Sequence, residues 1–447
     1  MTNETSMTLH TSSLLREEYR EYRHPSGLTL CIFPKKMSTT YALLGTKYGS
    51  IHNRFCSSDS DGWITVPDGI AHFLEHKLFA NEDGSDSFER FSDYGADANA
   101  YTSEGKTCYL FSCTDHFEES LEELLRFVTH PYFTPESVRS EVGIISEEIR
   151  MYDDNPTDRC FYGMLEGMYE HHSIRRNICG SVRSISRITP ELLYQCYRAF
   201  YRLDNMALVV CGDVSDETVL RIADRILPAA APTACSVKVE NENAKESPSA
   251  YLPYREERMQ VSKPLFNIGF KDTEIPANGE DRQHKDAAMA ILNEILFSRA
   301  GELYNRMIEK EMISPFLSYG YTISSSAAYN SLAGEADDPR AVLDEVLSYL
   351  KSIEETGLSR EDFLRGKRVM YAEFVKAFDS TDSIANNLFA FWCEDSEMLS
   401  YAKHLESITY EEVSDLFRRA FDPKATTLSV ILPLAKEDTA KTSSTRS

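Results

Sequence analysis

The sequence predicts an α+β protein made of two copies of one domain. Three observations predict it. Short apolar strand candidates do not alternate one-to-one with the helix candidates, which argues against a doubly wound parallel sheet. Two stretches of the first half recur in the second, in the same order and at nearly equal offsets. A Pro/Ala-rich and then polar stretch, Leu227 to Tyr254, lacks any apolar period and divides the chain into comparable parts.

The strand candidates are Leu28–Phe33, Tyr41–Tyr48, Cys108–Cys113 and Met206–Cys211 in the first part, and Leu265–Phe270, Tyr319–Ser324 and Thr427–Leu432 in the second. Each is short, rich in β-branched or aromatic residues, and bounded by Gly, Pro or Ser. Helices are predicted over Ala71–Phe79, Phe117–Phe127, Pro135–Tyr152, Lys285–Ser298, Arg340–Glu355 and Glu361–Phe378. The first repeat sets Thr134–Ile149 on Ser359–Phe374, an offset of 225. Both stretches open with a Thr/Ser cap and an acidic first turn before an amphipathic run. The second sets Ile70–Phe79 on the run ending at Leu296-Phe297, an offset of 218. The expected organisation is an N-terminal domain over 1–226, a linker over 227–254, a homologous C-terminal domain over 255–436 and a flexible tail over 437–447.

Composition narrows the function classes. With 71 acidic against 47 basic residues, the 447-residue chain carries a formal charge of −24. That excludes a nucleic-acid footprint and anionic membrane surfaces. No apolar run is long enough for a spanning helix. The first 24 residues contain Glu17, Glu18 and Glu21 and no apolar core, so a secretory signal is not expected. None of the ten cysteines forms a CxxC pair, and several lie in apolar runs. They read as small buried residues of a reducing compartment, hence a cytoplasmic protein.

The stretch that carries chemistry is His72-Phe-Leu-Glu75-His76. On a helix, residues four apart share a face, so His72 and His76 can grip one ion. Glu75 lies on the same flank, where it can take a proton from a metal-bound water and pass it to a leaving amine. This inverts the HExxH order. The second copy has Ala290, Asn293 and Glu294 at the matching positions, as expected for a duplicated fold with a single active site. A third ligand is needed. His171 and His172 are the nitrogen alternative. The Pro135–Tyr152 helix offers Glu141 and Glu148 on one face, with Glu147 turned about 100° away. Glu148 is favoured as ligand and Glu141 as the carboxylate that orients a histidine.

Three motifs carry a resemblance: Gly69 to Phe79 around His72, Glu75 and His76; Asp97-Ala-Asn99-Ala-Tyr-Thr102; and Glu141 with Glu148. The strand and turn from Asn205 to Asp213 add to it. With them the chain resembles the pitrilysin family of inverzincin metallopeptidases, over nearly its whole length. The resemblance implies two homologous α/β-sandwich halves, each an antiparallel-rich sheet covered by helices, closing as a clamshell. It implies a Zn2+ ion held by His72, His76 and Glu148, with Glu75 activating the water. It also implies an extended peptide added beside Asn99 and Ala100 as a further strand. One departure stands out. Family members that act alone carry an Arg followed by a Tyr in the second half. Here Arg306 is present, but the nearest tyrosines, Tyr319 and Tyr321, are displaced. A dimer is therefore expected, in one form a heterodimer with a homologous subunit lacking the zinc motif. The expected activity is zinc-dependent endopeptidase cleavage of peptides or unfolded segments. The alternatives are a non-catalytic scaffold subunit and a processing protease dedicated to one leader peptide. The window Ile51–Glu148 holds 20 acidic and 6 basic residues, which adds an expected preference for basic peptides.

Overall fold

The computed structural model describes residues 6–58, 62–230, 236–240 and 242–435. The tail expected over 437–447 lies outside them. Fifteen strands are present among the described residues. Ten lie at or before residue 239: β1 (Ser6–Ser12), β2 (Glu17–Arg23), β3 (Thr29–Pro34), β4 (Thr40–Thr46), β5 (Arg54–Ser57), β6 (Ile64–Thr65), β7 (Asp97–Thr102), β8 (Thr107–Cys113), β9 (Met206–Gly212) and β10 (Val237–Val239). The others are β11 (Tyr254–Met259), β12 (Leu265–Asp272), β13 (Leu317–Ile323), β14 (Ala328–Glu335) and β15 (Thr426–Pro433).

The duplication is visible in the pairing. The first sheet runs β1-β2-β3-β9-β4-β8-β7, and the sheet of the second half runs β11-β15-β12-β14-β13. From β3 onward the two match strand for strand. Each has one parallel step, β3 with β9 and β11 with β15, and antiparallel pairing beyond it. The fold is α+β with two homologous halves, as expected. No helix among the described residues is long and apolar enough to cross a membrane.

The compact units divide the chain differently from a contiguous cut at the linker. One comprises Met1–Ile149, Asn177–Glu240 and Phe374–Ala402; the other comprises Arg150–Arg176, Asn241–Glu373 and Lys403–Ser447. Each half thus lends a helix to the other unit. The cause is a helix break followed by an apolar face. Helix Pro135–Asp153 ends, Asn155 caps a new helix and Pro156 opens it. The new helix, Pro156–Met168, buries Cys160, Met164, Leu165 and Met168 against β12 and β15. In the second half, helix Arg360–Lys376 ends, Ser380 caps Thr381–Cys393, and that helix lies on β4 and β9. A glycine admits each lent helix. A Cβ on Gly45 of β4 would lie 2.2 Å from the Phe389 ring, and one on Gly269 of β12 would lie 2.7 Å from Met164.

The described part of the expected linker is docked. Val237–Val239 pairs with Phe55–Ser57 of β5. In the other unit, Glu246 accepts hydrogen bonds from the backbone N–H groups of His171 (2.6 Å) and His172 (2.7 Å) and pairs with Lys271 at 2.8 Å. Both side chains of that pair are almost fully buried.

Candidate metal centre

Helix Ile70–Leu78 follows Gly69, whose φ of +91° starts it in the left-handed region with no side-chain cap. A side chain is excluded there, because a Cβ on Gly69 would meet the Cys179 carbonyl at 2.4 Å. Apolar Ile70, Phe73, Leu74 and Leu78 bury the helix. His72 and Glu75 are carried inward with them, both largely buried. Helix Pro135–Asp153 brings Glu141 and Glu148, two turns apart, to the same place.

The distances define a site. His72 Nε2 is 3.5 Å from Glu148 Oε1, and His76 Nε2 is 3.5 Å from Glu148 Oε2. The two rings meet edge-on, with centroids 4.6 Å apart. Glu141 Oε1 is 3.2 Å from His76 Nδ1, and its other oxygen accepts from Lys77 Nζ at 3.2 Å. Glu141 thus contacts the Nδ1 of His76 while the Nε2 of the same ring faces Glu148. Thr102 Oγ1, on β7, donates to Glu75 Oε2 at 2.7 Å. Cys179, which the sequence did not single out, places its Sγ 3.9 Å from His72 Nε2. Donor atoms of His72, Glu148 and Cys179 all lie within 4.8 Å of one another, the only such group among the described residues.

The electrostatics follow from burial and crowding. Burial raises the Glu75 carboxyl above the usual carboxylate range, against the pull of His72 and the Thr102 hydrogen bond. Glu148 is held below that range, chiefly by its hydrogen bond to His72 and against its own burial. Burial also acts against ionisation of Glu141, but His76 and Lys77 outweigh it and hold that carboxyl low. For His76 burial disfavours the cation, yet Glu141, Glu75 and Glu148 together raise its pKa. Three carboxylates gathered around two imidazoles form a site short of positive charge. A dication fits it. With metal–ligand bonds of about 2.0–2.2 Å, tetrahedral neighbours stand about 3.4 Å apart, close to both Glu148–imidazole spacings.

The other expected residues fall in two places. Asn99 and Ala100 lie on β7, the edge strand of the first sheet, three and two residues from Thr102. Asn99 is exposed, and its Oδ1 accepts from the Ala100 N–H at 2.8 Å. Arg306 and Tyr319 belong to the other unit and have partners within it. Arg306 Nε stands 2.7 Å from Glu345, with its guanidinium over the Tyr349 ring. Tyr319 donates to Glu294 at 2.8 Å. Tyr321 donates to Asp272 at 2.7 Å. His171 and His172 are in that unit too, where His172 Nδ1 accepts from the Ile174 N–H.

The insulinase family of peptidases, M16, matches residues 66–181, the segment holding every residue of this centre. A protein of Bacillus subtilis named "Uncharacterized zinc protease YmfH" is 35% identical over 420 residues, covering 94% of this chain and 97% of that one. The chain belongs to the M16 peptidase family. A second B. subtilis relative, named zinc protease YmxG, is 23% identical and covers 70% of this chain and 76% of its own. The structure of a putative M16-like peptidase from Alicyclobacillus acidocaldarius superposes with a TM-score of 0.88 at 27% identity, over 94% of this chain and 99% of that one. A protease from Helicobacter pylori, at 16% identity, shares the fold with a TM-score of 0.78 over 93% of this chain and all of its own.

The peptidase M16 inactive domain matches residues 187–370. The second copy explains that term chemically. At the position of His76 stands Glu294, which accepts from Tyr319 and pairs with Arg365 at 3.1 Å. Asn293, at the position of Glu75, donates to Asn330 at 2.9 Å. An arginine and a tyrosine thus satisfy the one carboxylate that remains.

Proposed function

We propose that this M16 family member is a zinc-dependent endopeptidase acting on peptides or unfolded polypeptide segments. The observation that carries the reading is the convergence of both imidazole Nε2 atoms on the two oxygens of Glu148, with Glu75 held beside them by Thr102. His72, His76 and Glu148 would hold the ion, which supplies a Lewis acid and an acidified water when bound. Glu75 takes the proton of the attacking water at its carboxylate and returns it to the departing amine. Its burial favours the protonated form that this shuttle passes through. Thr102 holds one oxygen of Glu75, which leaves the other for the proton. β7 is an edge strand with exposed Asn99, so an extended peptide can pair along it by main-chain hydrogen bonds, with little demand on its sequence.

The finer parts of the reading rest on the sequence. These are enclosure of the substrate in a clamshell, a dimer in which a homologous subunit assists, Arg306 and Tyr319 as substrate-binding residues, and a cytoplasmic location. The test uses Glu75→Gln, which should retain about one zinc per chain and lose cleavage of a quenched fluorescent peptide. Cleavage at the wild-type rate would overturn the mechanism. The inactive-domain match favours one second reading, a non-catalytic scaffold subunit; such a chain would hold no stoichiometric zinc.

A further inference from the structure

Seven of the described cysteines are buried, and six of them follow the plain expectation for a small apolar residue. Cys179 differs in what it faces. Its sulfur lies 3.9 Å from His72 Nε2, and that sulfur, a His72 nitrogen and a Glu148 oxygen all lie within 4.8 Å of one another. Three separate segments supply these atoms: the helix after Gly69, the Pro135–Asp153 helix and the turn before Gly180. We propose that Cys179 is a fourth metal-binding residue of this centre, one that closes the coordination of the ion in the resting protein. The proposal rests on reading the site as a metal centre.

The turn that presents Cys179 is built to a fixed position. The Cys179 N–H donates to Asn177 Oδ1 at 2.9 Å. Gly180 has a φ of +73°, and a Cβ there would lie 2.4 Å from the Asp68 carbonyl. Across the same contact, Gly69 abuts the Cys179 carbonyl. Two glycines thus let the backbone at Asp68–Gly69 press on that at Cys179–Gly180, one turn from His72. The sulfur is within reach of a shared ion. With bonds of about 2.3 Å to sulfur and about 2.0 Å to nitrogen, the two atoms of a tetrahedral site stand about 3.5 Å apart. On binding, the thiol gives its proton to solvent and a sulfur lone pair to the metal; nothing is oxidised or reduced. Two imidazoles, one carboxylate and one thiolate make four protein donors, the closed arrangement of structural zinc sites. The thiolate must then withdraw before water can enter, so Cys179 sets a latent state of the enzyme.

Two measurements on the full chain test this. X-ray absorption at the zinc edge of the zinc-loaded wild-type protein should show one sulfur neighbour at about 2.3 Å beside nitrogen and oxygen. The cobalt(II)-loaded protein should show a sulfur-to-cobalt charge-transfer band in the near ultraviolet. Cys179→Ser should abolish that band while the visible ligand-field bands of bound cobalt persist. A wild-type zinc shell of nitrogen and oxygen alone would overturn the proposal and leave the metal centre standing. Failure of the wild-type protein to retain zinc or cobalt would overturn both. The absorption measurement needs no variant, so a Cys179→Ser protein that misfolds does not weaken the test.

Discussion

Thr102 Oγ1 donates a 2.7 Å hydrogen bond to Glu75 Oε2, tying the edge strand of the first sheet to the carboxylate proposed as proton carrier. Thr102→Val keeps the shape and removes the hydroxyl. The expected result is a kcat about 10- to 100-fold lower with zinc content unchanged, the loss typical of an orienting partner. Steady-state kinetics with metal analysis on the same sample checks it; an unchanged kcat would refute the orienting role.

Glu141 is predicted to act on metal affinity more than on the proton transfer. It holds His76 Nδ1 and Lys77 Nζ at once. Glu141→Gln should weaken zinc binding about 10- to 100-fold, read by competition with a chelator. Saturating zinc should restore most of the cleavage rate.

Gly69→Ala should destabilise the protein. Gly69 has a φ of +91°, and the added methyl would meet the Cys179 carbonyl at 2.4 Å. A non-glycine residue in such a backbone costs roughly 1–3 kcal/mol before the clash is counted. A thermal melt should show a lower Tm, and zinc affinity should fall with it, because the same contact sets the start of the His72 helix.

The Glu246–Lys271 pair predicts an acid-sensitive unit. Burial works against ionisation of Glu246, but Lys271 and the N–H groups of His171 and His172 outweigh it and hold its pKa down at about 2. A carboxyl held low contributes stability that is complete above its unfolded value near 4.5 and is lost as the pH falls toward 2. Urea unfolding should show that loss between those limits. Glu246→Gln leaves Lys271 buried without its partner, at a cost of roughly 3–5 kcal/mol at pH 7, and should flatten the acid limb. An acid limb identical to wild type would remove the pair from this role.

The acidic window predicts a preference among substrates. With 20 acidic against 6 basic residues over 51–148, Lys/Arg-rich peptides should be cleaved faster than Asp/Glu-rich ones at low ionic strength. Added salt should shrink the difference. Equal rates at low salt would return the charge to a plain role in solubility.

Much of the centre was legible because it is local. His72, Glu75 and His76 lie within one helical turn or so, and Glu141 and Glu148 on one face of one helix, so spacing alone groups them. Cys179 carried no such signal: no second cysteine stands at CxxC spacing from it in the sequence, and only the fold brings it beside His72. Strands β1 and β2 were missed because Glu17–Arg23 reads as charged surface, although Tyr19 within it is buried. β7 was reached only through the family resemblance, since Asp97–Thr102 is a half-exposed edge without apolar alternation. The repeat revealed two copies, but not that Pro156–Met168 and Thr381–Cys393 change units. Asn155-Pro156 marks a break in the helix; the sheet that takes the next helix admits it at Gly45 or Gly269, far away in sequence. The docking of the linker is hidden from the sequence for a similar reason. Its composition is polar, yet Glu246 is fixed by Lys271 and by backbone donors 74 and 75 residues upstream.

The lent helices also set an order of synthesis. The strands β3, β4, β8 and β9 are all translated by residue 212, but the helix that covers β4 and β9 ends at Cys393. A nascent chain therefore holds an unfinished apolar sheet while some 180 further residues leave the ribosome. The unit carrying the metal-binding residues is therefore complete only once Ala402 has been made, near the end of translation. Severing the chain at 227–254 would leave that sheet uncovered and its product prone to aggregate.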